Sequence, residues 1–243
     1  MHQASVGFHC PECVRDGGQK VYKGPPTFDP VVTKALIGIN VAVWLYGAVS
    51  GGRTSRIGRE LLVDGGLFGP LVADGEWYRL VTSGFLHDGI AHLLFNMYAL
   101  WILGGQLERI LNRARYVALY AASLLGGALG VLLLDPTALT VGASGAVFGL
   151  FGAVAVIQRS AGFSIWASGL GPVLALNLFI TFAIPRISIG GHIGGLVAGA
   201  IVAAMVVQMT RARRGQWEMV GAVVALAAVF VAAALWVAAN PIV

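Results

Sequence analysis

Ser144 lies in Gly142-Ala143-Ser144-Gly145, a hydroxyl flanked by residues too small to hinder approach to it. Such a hydroxyl is a weak nucleophile until a base takes its proton, and histidine is the side chain suited to that near neutral pH. His192 is a candidate base, with Gly195 and Gly199 following it at i+3 and i+7. His92 and Asn96 stand four residues apart, so on a helix they share one face, and both can donate hydrogen bonds. A helix beginning at Ser144 would point unpaired first-turn N–H groups and a partial positive charge at an oxyanion formed beside the serine. The parts suggest nucleophile, base and oxyanion hole. No Asp or Glu accompanies them on the same helices at the same depth, so the expectation is a dyad without an acidic third member.

The elements that carry these residues must lie in lipid. Hydrophobic residues make up 57% of the 243 and charged residues 11%, with a mean hydropathy of +0.80. Charged residues average about a quarter of a soluble domain, so a water-soluble globule is excluded. Cys10 and Cys13 are too few and too close for a disulfide framework. Apolar runs predict seven spans: Val31 to Ser50, Ile90 to Leu107, Tyr116 to Leu134, a short one from Ala143 to Ile157, Phe163 to Ile184, Ile187 to Met209, and Met219 to Ala239. Residues 1–30 read as a polar tail with no signal-peptide pattern. The connection 51–83, rich in glycine and aromatics, reads as an amphipathic outer loop lying partly in the membrane interface.

Charge assigns the sides. With the N-terminus inside, eleven of the sixteen basic residues fall inside: Arg15, Lys20, Lys23, Lys34, Arg109, Arg113, Arg115, Arg159, Arg211, Arg213 and Arg214. Five acidic residues leave that side at +6, whereas Arg53, Arg56, Arg59, Arg79 and Arg186 against six acidic residues leave the outside at −1. Basic residues beside spans are retained in the cytoplasm, so the N-terminus is expected inside and the C-terminus outside. The pI near 9.6 is then a topology signal, with no need of nucleic acid.

The second, fourth and sixth spans thus run from outside to inside and end at Arg109, Arg159 and Arg211. His92, Ser144 and His192 precede those anchors by 17, 15 and 19 residues. At the helical rise these are roughly 22 to 29 Å above the inner edge, in the outer third of the hydrocarbon core. The fourth span is too short to cross, so protein or water must cover the backbone above Ser144, and a cavity open to the outside is expected. Glycines at Gly145, Gly149 and Gly152 on the fourth span and at Gly195 and Gly199 on the sixth allow close helix approach, which would bring His192 to Ser144.

In these residues the chain resembles the rhomboid family of intramembrane serine proteases. The matches are Gly142-Ala143-Ser144-Gly145 for its G-x-S-G, His92 with Asn96 for its H-x-x-x-N, and His192 with Gly195 and Gly199 on the sixth span. The resemblance implies an all-α polytopic membrane protein: a six-helix core over 31–209 including the loop 51–83, and a basic loop with a seventh helix over 210–243. It also implies Ser144 as nucleophile and His192 as base, with the Ser144 N–H, His92 and Asn96 holding the oxyanion. Gly142, Gly145, Phe148, Gly195 and Gly199 would serve substrate approach and packing. The partners implied are transmembrane protein substrates in the bilayer of the inner (plasma) membrane, and no cofactor is implied for catalysis. The family's E-x-W-R reads Glu76-Trp77-Tyr78-Arg79 here, shifting membrane anchoring onto Trp77. Phe148 replaces a frequent tyrosine beside the imidazole, which implies a looser histidine. His9-Cys10-Pro11-Glu12-Cys13 is similar to the end of a zinc module in actinobacterial-type relatives. A zinc site takes four Cys or His ligands and the tail offers Cys10, Cys13, His2 and His9, so a structural zinc is expected there only if the module is complete.

Blander readings stand beside these. Ser144 could be an N-cap, His192 could pair with a backbone carbonyl, and Asn96 could bridge helices. Asn40, Ser123, Asn177 and Thr181 read as helix bridges, His87 as a loop brace, and Cys10 and Cys13 as a zinc site or spare thiols. A non-cleaving protein that retains membrane clients is the alternative function. A channel is disfavoured by the absence of acidic residues within the spans.

Overall fold

Hydrocarbon offers the backbone no hydrogen-bond partner, so each apolar run must satisfy its own amides, and it does so as helix. The computed structural model describes residues 2–3, 7–16, 28–52 and 55–241. Lys20, Lys23, Pro25, Pro26 and Arg53, which bear on the tail and the topology, lie outside the described residues. Beyond a two-residue pair, β1 (His2–Gln3) with β2 (Phe8–His9), the elements are helical. After α1 (Pro11–Asp16) comes the first membrane helix, α2 (Val31–Ser50). The outer loop carries α3 (Arg59–Gly65), α4 (Gly69–Ala73) and α5 (Arg79–Thr82). The second membrane helix runs as α6 (Ile90–Ala99), a π turn (Leu100–Gly104) and α7 (Gly105–Leu111). The remaining helices are α8 (Arg113–Leu134), α9 (Ser144–Ser160), α10 (Leu170–Ala183), α11 (Ile189–Arg211) and α12 (Gln216–Ala239). Five of the seven are long and apolar enough to cross a membrane, and α9 and α10 are shorter.

The fifth span corrects the reading of its apolar run. Phe163 to Ile184 was expected as one helix, but α10 occupies only Leu170–Ala183. Gly162 and Gly169 take φ of 84° and 81°, and the Ser168 hydroxyl bonds the Gln158 side chain at 2.8 Å, so the stretch between them is a turn. Short α9 is lined on all sides by protein, with Gly145 to Val154 buried throughout. Its backbone therefore never meets lipid at the depth where it starts.

Helices α8, α9 and α11 form the centre. A methyl at Gly195 or Gly199 of α11 would overlap the backbone of Gly145 or Gly149 of α9. On α8, which no motif singles out in the sequence, a Cβ on Gly130 would likewise overlap the backbone of Gly190 of α11, and one on Gly127 would press on Gly191 O at 3.1 Å. With no hydrophobic effect between helices in lipid, such close backbone packing is the main attraction available. The C-terminal end of α12 (Ala234, Val237, Ala238) and the C-terminal part of α8 (Ala128, Val131, Leu132) enclose Leu67, Val72 and Leu80 of the loop 51–83. The seventh helix thus ends on the loop's side of the molecule.

The opposite end is held by Glu108. Its carboxylate is fully buried and accepts from the N–H groups of Val32 (3.0 Å) and Thr33 (2.8 Å) and from the Thr33 hydroxyl (2.9 Å). Those amides belong to the first turn of α2, which has no side-chain cap of its own, so Glu108 caps the helix and opposes its dipole. Glu108→Ala strands these donors. Charge-assisted bonds of this kind contribute roughly 1.5–3 kcal/mol each, so thermal unfolding in detergent is expected to register a loss of about 3 kcal/mol, with Glu108→Gln losing less.

The expected helix bridges are mostly local. Asn40 donates to Leu36 O and Asn177 to Val173 O, each within its own helix, and the buried Ser123 hydroxyl has no partner among the described residues. A polar side chain on a helix reaches the carbonyl four residues back without help from a neighbouring helix.

Candidate active site

Four segments converge at the start of α9. The strand-like stretch before it is pinned to the outer loop by a reciprocal pair, Leu67 N–H to Thr140 O and Thr140 N–H to Leu67 O, both 2.9 Å. Gly142 N–H then donates to Ser83 O (2.9 Å), and Ala143 N–H to His87 Nε2 (3.3 Å). Gly142 has φ of 128°, and a Cβ there would stand 2.7 Å from His92 Cε1 and Nε2 and 3.8 Å from Ser144 Oγ. Only glycine fits, and the His92 imidazole and the serine hydroxyl both border the space it leaves.

Ser144 is the first helical residue. Ala143 occupies the cap position with no side-chain cap bond, so the N-cap reading of Ser144 is overturned. The earliest i→i−4 bond is Val147 N–H to Ala143 O, which leaves the Ser144, Gly145 and Ala146 N–H groups without intrahelical partners. Ala143 N–H is committed to His87. The group available nearest the hydroxyl is therefore the Ser144 N–H itself.

His192 reaches the site from the first turn of α11, whose N-cap Ser188 accepts from Gly191 N–H (3.0 Å). The imidazole is buried, and its ring stacks on Phe148 at 4.0 Å between centroids and 17° between planes. Its Nδ1 lies 2.7 Å from Thr181 Oγ1 on α10. The Phe148 substitution had implied a loosely held histidine, but stacking on one side and a hydroxyl on the other hold the ring. Thr181, read from sequence as a helix bridge, joins α10 to α11 through this imidazole. The signal available beforehand was a hydroxyl placed 11 residues before His192, and nothing in the sequence connects that spacing to a contact. Ser144 Oγ is half-buried, and no hydrogen bond to His192 is present among the described residues. Resting active sites often leave this bond open until substrate seats.

His92 is half-buried on α6 with its ring edge-on to His87, centroids 5.0 Å apart. Asn96 is buried and donates one amide hydrogen to His92 O (2.9 Å), which leaves its second N–H. The cavity expected to open outward is a half-buried surface around Gly142, Ser144 and His92. Two hollows lie elsewhere, one beside Leu36, Phe85 and Tyr120 and one beside Gln106, Ile157 and Ser168.

The outer loop that braces the site is itself built on Arg79. This side chain is buried and donates to Val63 O (2.6 Å), Gly66 O (2.7 Å) and Glu76 Oε2 (2.7 Å). Tyr78 also donates to Glu76 (2.6 Å), and this bond and then Arg79 hold the Glu76 carboxyl below the usual carboxylate range. Trp77 is 62% exposed, as an interfacial anchor requires.

His87 makes the brace sensitive to acid. Burial, and then the neighbouring His92, push its imidazole down to about 3 from the ordinary 6.5. The unfolded chain therefore binds this proton first, and the His87 contribution, full above about 6.5, drains away as pH falls toward 3. The unfolding midpoint in detergent is expected to drop across that window. His87→Asn, which keeps an acceptor for Ala143 N–H without a titrating ring, is expected to flatten the slope.

At the N-terminus Cys10 and Cys13 are exposed thiols with sulfurs 2.7 Å apart, and Cys13 N–H donates to Cys10 Sγ (3.1 Å). A tetrahedral zinc site takes four ligands, of which these thiols would be two, and no group of three or more His, Cys, Asp or Glu suited to a metal occurs among the described residues. The side chains of His2 and His9 lie outside the described residues.

Comparison of the sequence with known proteins finds relatives. Residues 74–209 match the model of the Rhomboid domain. The rhomboid protease GluP of Bacillus subtilis (strain 168) is 35% identical over 70% of this chain and 33% of its own length. The putative rhomboid protease YdcA of the same bacterium is 38% identical over 51% of this chain and 60% of its own. RHOMBOID-like protein 5 of Arabidopsis thaliana is 38% identical over 51% and 42%. The chain thus spans from a third to three-fifths of the length of these curated relatives.

Proposed function

Because the chain belongs to the rhomboid family of multi-pass membrane proteins, we propose that it is an intramembrane serine endopeptidase working through Ser144 and His192. The observation that carries this reading is the backbone-to-backbone seating of α11 on α9, which sets the His192 ring against Phe148, one turn from Ser144. His192 Nε2 accepts the Ser144 proton as Oγ bonds to the scissile carbonyl carbon. The oxyanion so formed is received by the Ser144 N–H, His92 and the second N–H of Asn96. Collapse breaks the C–N bond, and His192 returns its proton to the leaving amine. Water then adds to the acyl-serine with His192 again as base, releasing the new carboxyl and restoring Ser144. No step calls on a metal or cofactor.

The charge distribution supports a cytoplasmic N-terminus, an extracytoplasmic C-terminus and a cut near the outer face of the plasma membrane. Substrates are transmembrane segments that unwind locally, since a helical peptide bond is shielded; small residues at the cut and helix breakers beside it favour this. Reconstituted with a transmembrane substrate in liposomes, the protein is expected to release a fragment cut near the outer end of the segment. A substrate left whole by a folded protein whose Ser144 a fluorophosphonate does not label would shift the reading toward client retention.

A further inference from the structure

Thr181 has two polar neighbours and only one hydrogen to give. Its Oγ1 lies 2.8 Å from Asn177 O, the carbonyl one turn back on α10, and 2.7 Å from His192 Nδ1. A carbonyl can only accept, so the hydroxyl hydrogen belongs to Asn177 O, and toward His192 the oxygen accepts. The imidazole proton must then sit on Nδ1, which leaves the lone pair on Nε2. We infer that Thr181 is a positioning residue that fixes His192 in the Nδ1–H tautomer, the form that can take a proton from Ser144. This rests on the reading of Ser144 and His192 as nucleophile and base.

Three observations support a dedicated contact. Thr181 is 1% exposed, although α10 presents most of its side chains outward. The only other buried residues of α10, Leu170 and Gly171, lie at its far end, so general packing does not account for the burial of Thr181. Phe148 fixes the ring plane by stacking but, having no polar atom on its side chain, cannot choose between the two nitrogens. An imidazole commonly needs a partner on its second nitrogen to set both tautomer and orientation, and among the described residues the hydrogen-bond partner of Nδ1 is Thr181 Oγ1.

The test uses the whole protein in detergent micelles with 15N-labelled histidine, in a Ser144→Ala background so that the readout does not depend on turnover. Ring nitrogen shifts are expected to show His192 as the Nδ1–H tautomer, and Thr181→Val, which keeps the shape and removes the hydroxyl, is expected to give a mixture. With Ser144 intact, Thr181→Val is expected to lower kcat roughly 10- to 100-fold with little change in KM, and Thr181→Ser to restore most of it. A His192 ring found as Nε2–H, or a Thr181→Val protein with unaltered tautomer and kcat, overturns the assignment. Thermal unfolding of Thr181→Val identifies a variant that has simply lost its fold, in which case the tautomer found in the parent alone decides. The expected tautomer change in a protein that cleaves no transmembrane substrate would leave this contact standing and remove the proteolytic reading instead.

Discussion

Ser144→Ala is expected to lower cleavage of a transmembrane substrate by about 10⁴- to 10⁶-fold, the scale on which loss of a serine nucleophile is felt elsewhere. Alanine removes the one atom that forms the acyl bond and leaves the Ser144 N–H in place. The fold should hardly notice. The Ser144 side chain supplies no cap to α9, so the stability change should stay within about 0.5 kcal/mol, as for substitutions away from structural features. Loss of activity with an unchanged unfolding midpoint, and loss of fluorophosphonate labelling with it, is the expected combination. Cleavage at the parent rate by Ser144→Ala would end the proposal.

Gly199→Val is expected to be the most damaging substitution for the fold. A Cβ on Gly199 would overlap the carbonyl oxygen, the carbonyl carbon and the Cα of Gly149. Those are backbone atoms of a buried helix, so no side chain can turn aside, and α11 must lift from α9. Overpacking typically costs about 1–3 kcal/mol, and here the upper end or more is expected because the packing of three helices is lost together. His192 rides on the same helix, so activity should fall with the unfolding midpoint, although Gly199 is two turns from the imidazole. Gly221→Ala on α12 is the matched control: a Cβ there meets nothing within 4 Å, and both stability and cleavage should remain at parent values. A Gly199→Val protein with parental midpoint would show that α9 and α11 are not held by this contact.

These two expectations differ in how far each could have been reached without coordinates. The candidate serine stood out in the sequence because lipid tolerates few polar groups, so those expected at one depth are conspicuous. The glycine spacing on the fourth and sixth spans pointed to close packing of those two helices, and the methyl clashes between α9 and α11 bear that out. The third participant, α8 with Gly126, Gly127 and Gly130, was not legible, because its glycines sit in an apolar run beside no chemical landmark. The fifth span was overread for a related reason: hydropathy marks which residues prefer lipid and says nothing of where a helix begins. Gly169, with positive φ at the cap position, sets the start of α10 instead.

Solvent preference and periodicity were enough to establish a helical membrane protein, and they led to two expectations: a sidedness set by its Arg and Lys residues, and a serine, two histidines and an asparagine at a shared depth. Those properties depend on residue type and on spacing along a chain of known rise, both of which a sequence contains. The contacts that each of these groups makes emerged from the packed helices alone. Packing committed the Ala143 N–H to His87, made Ser144 the first residue of its helix rather than its cap, and brought Thr181 to Nδ1 of His192. Hydrogen bonds of that kind are directional and form between elements whose rotation about their own axes no spacing rule specifies. In lipid, that rotation is set by which glycine backbones can meet.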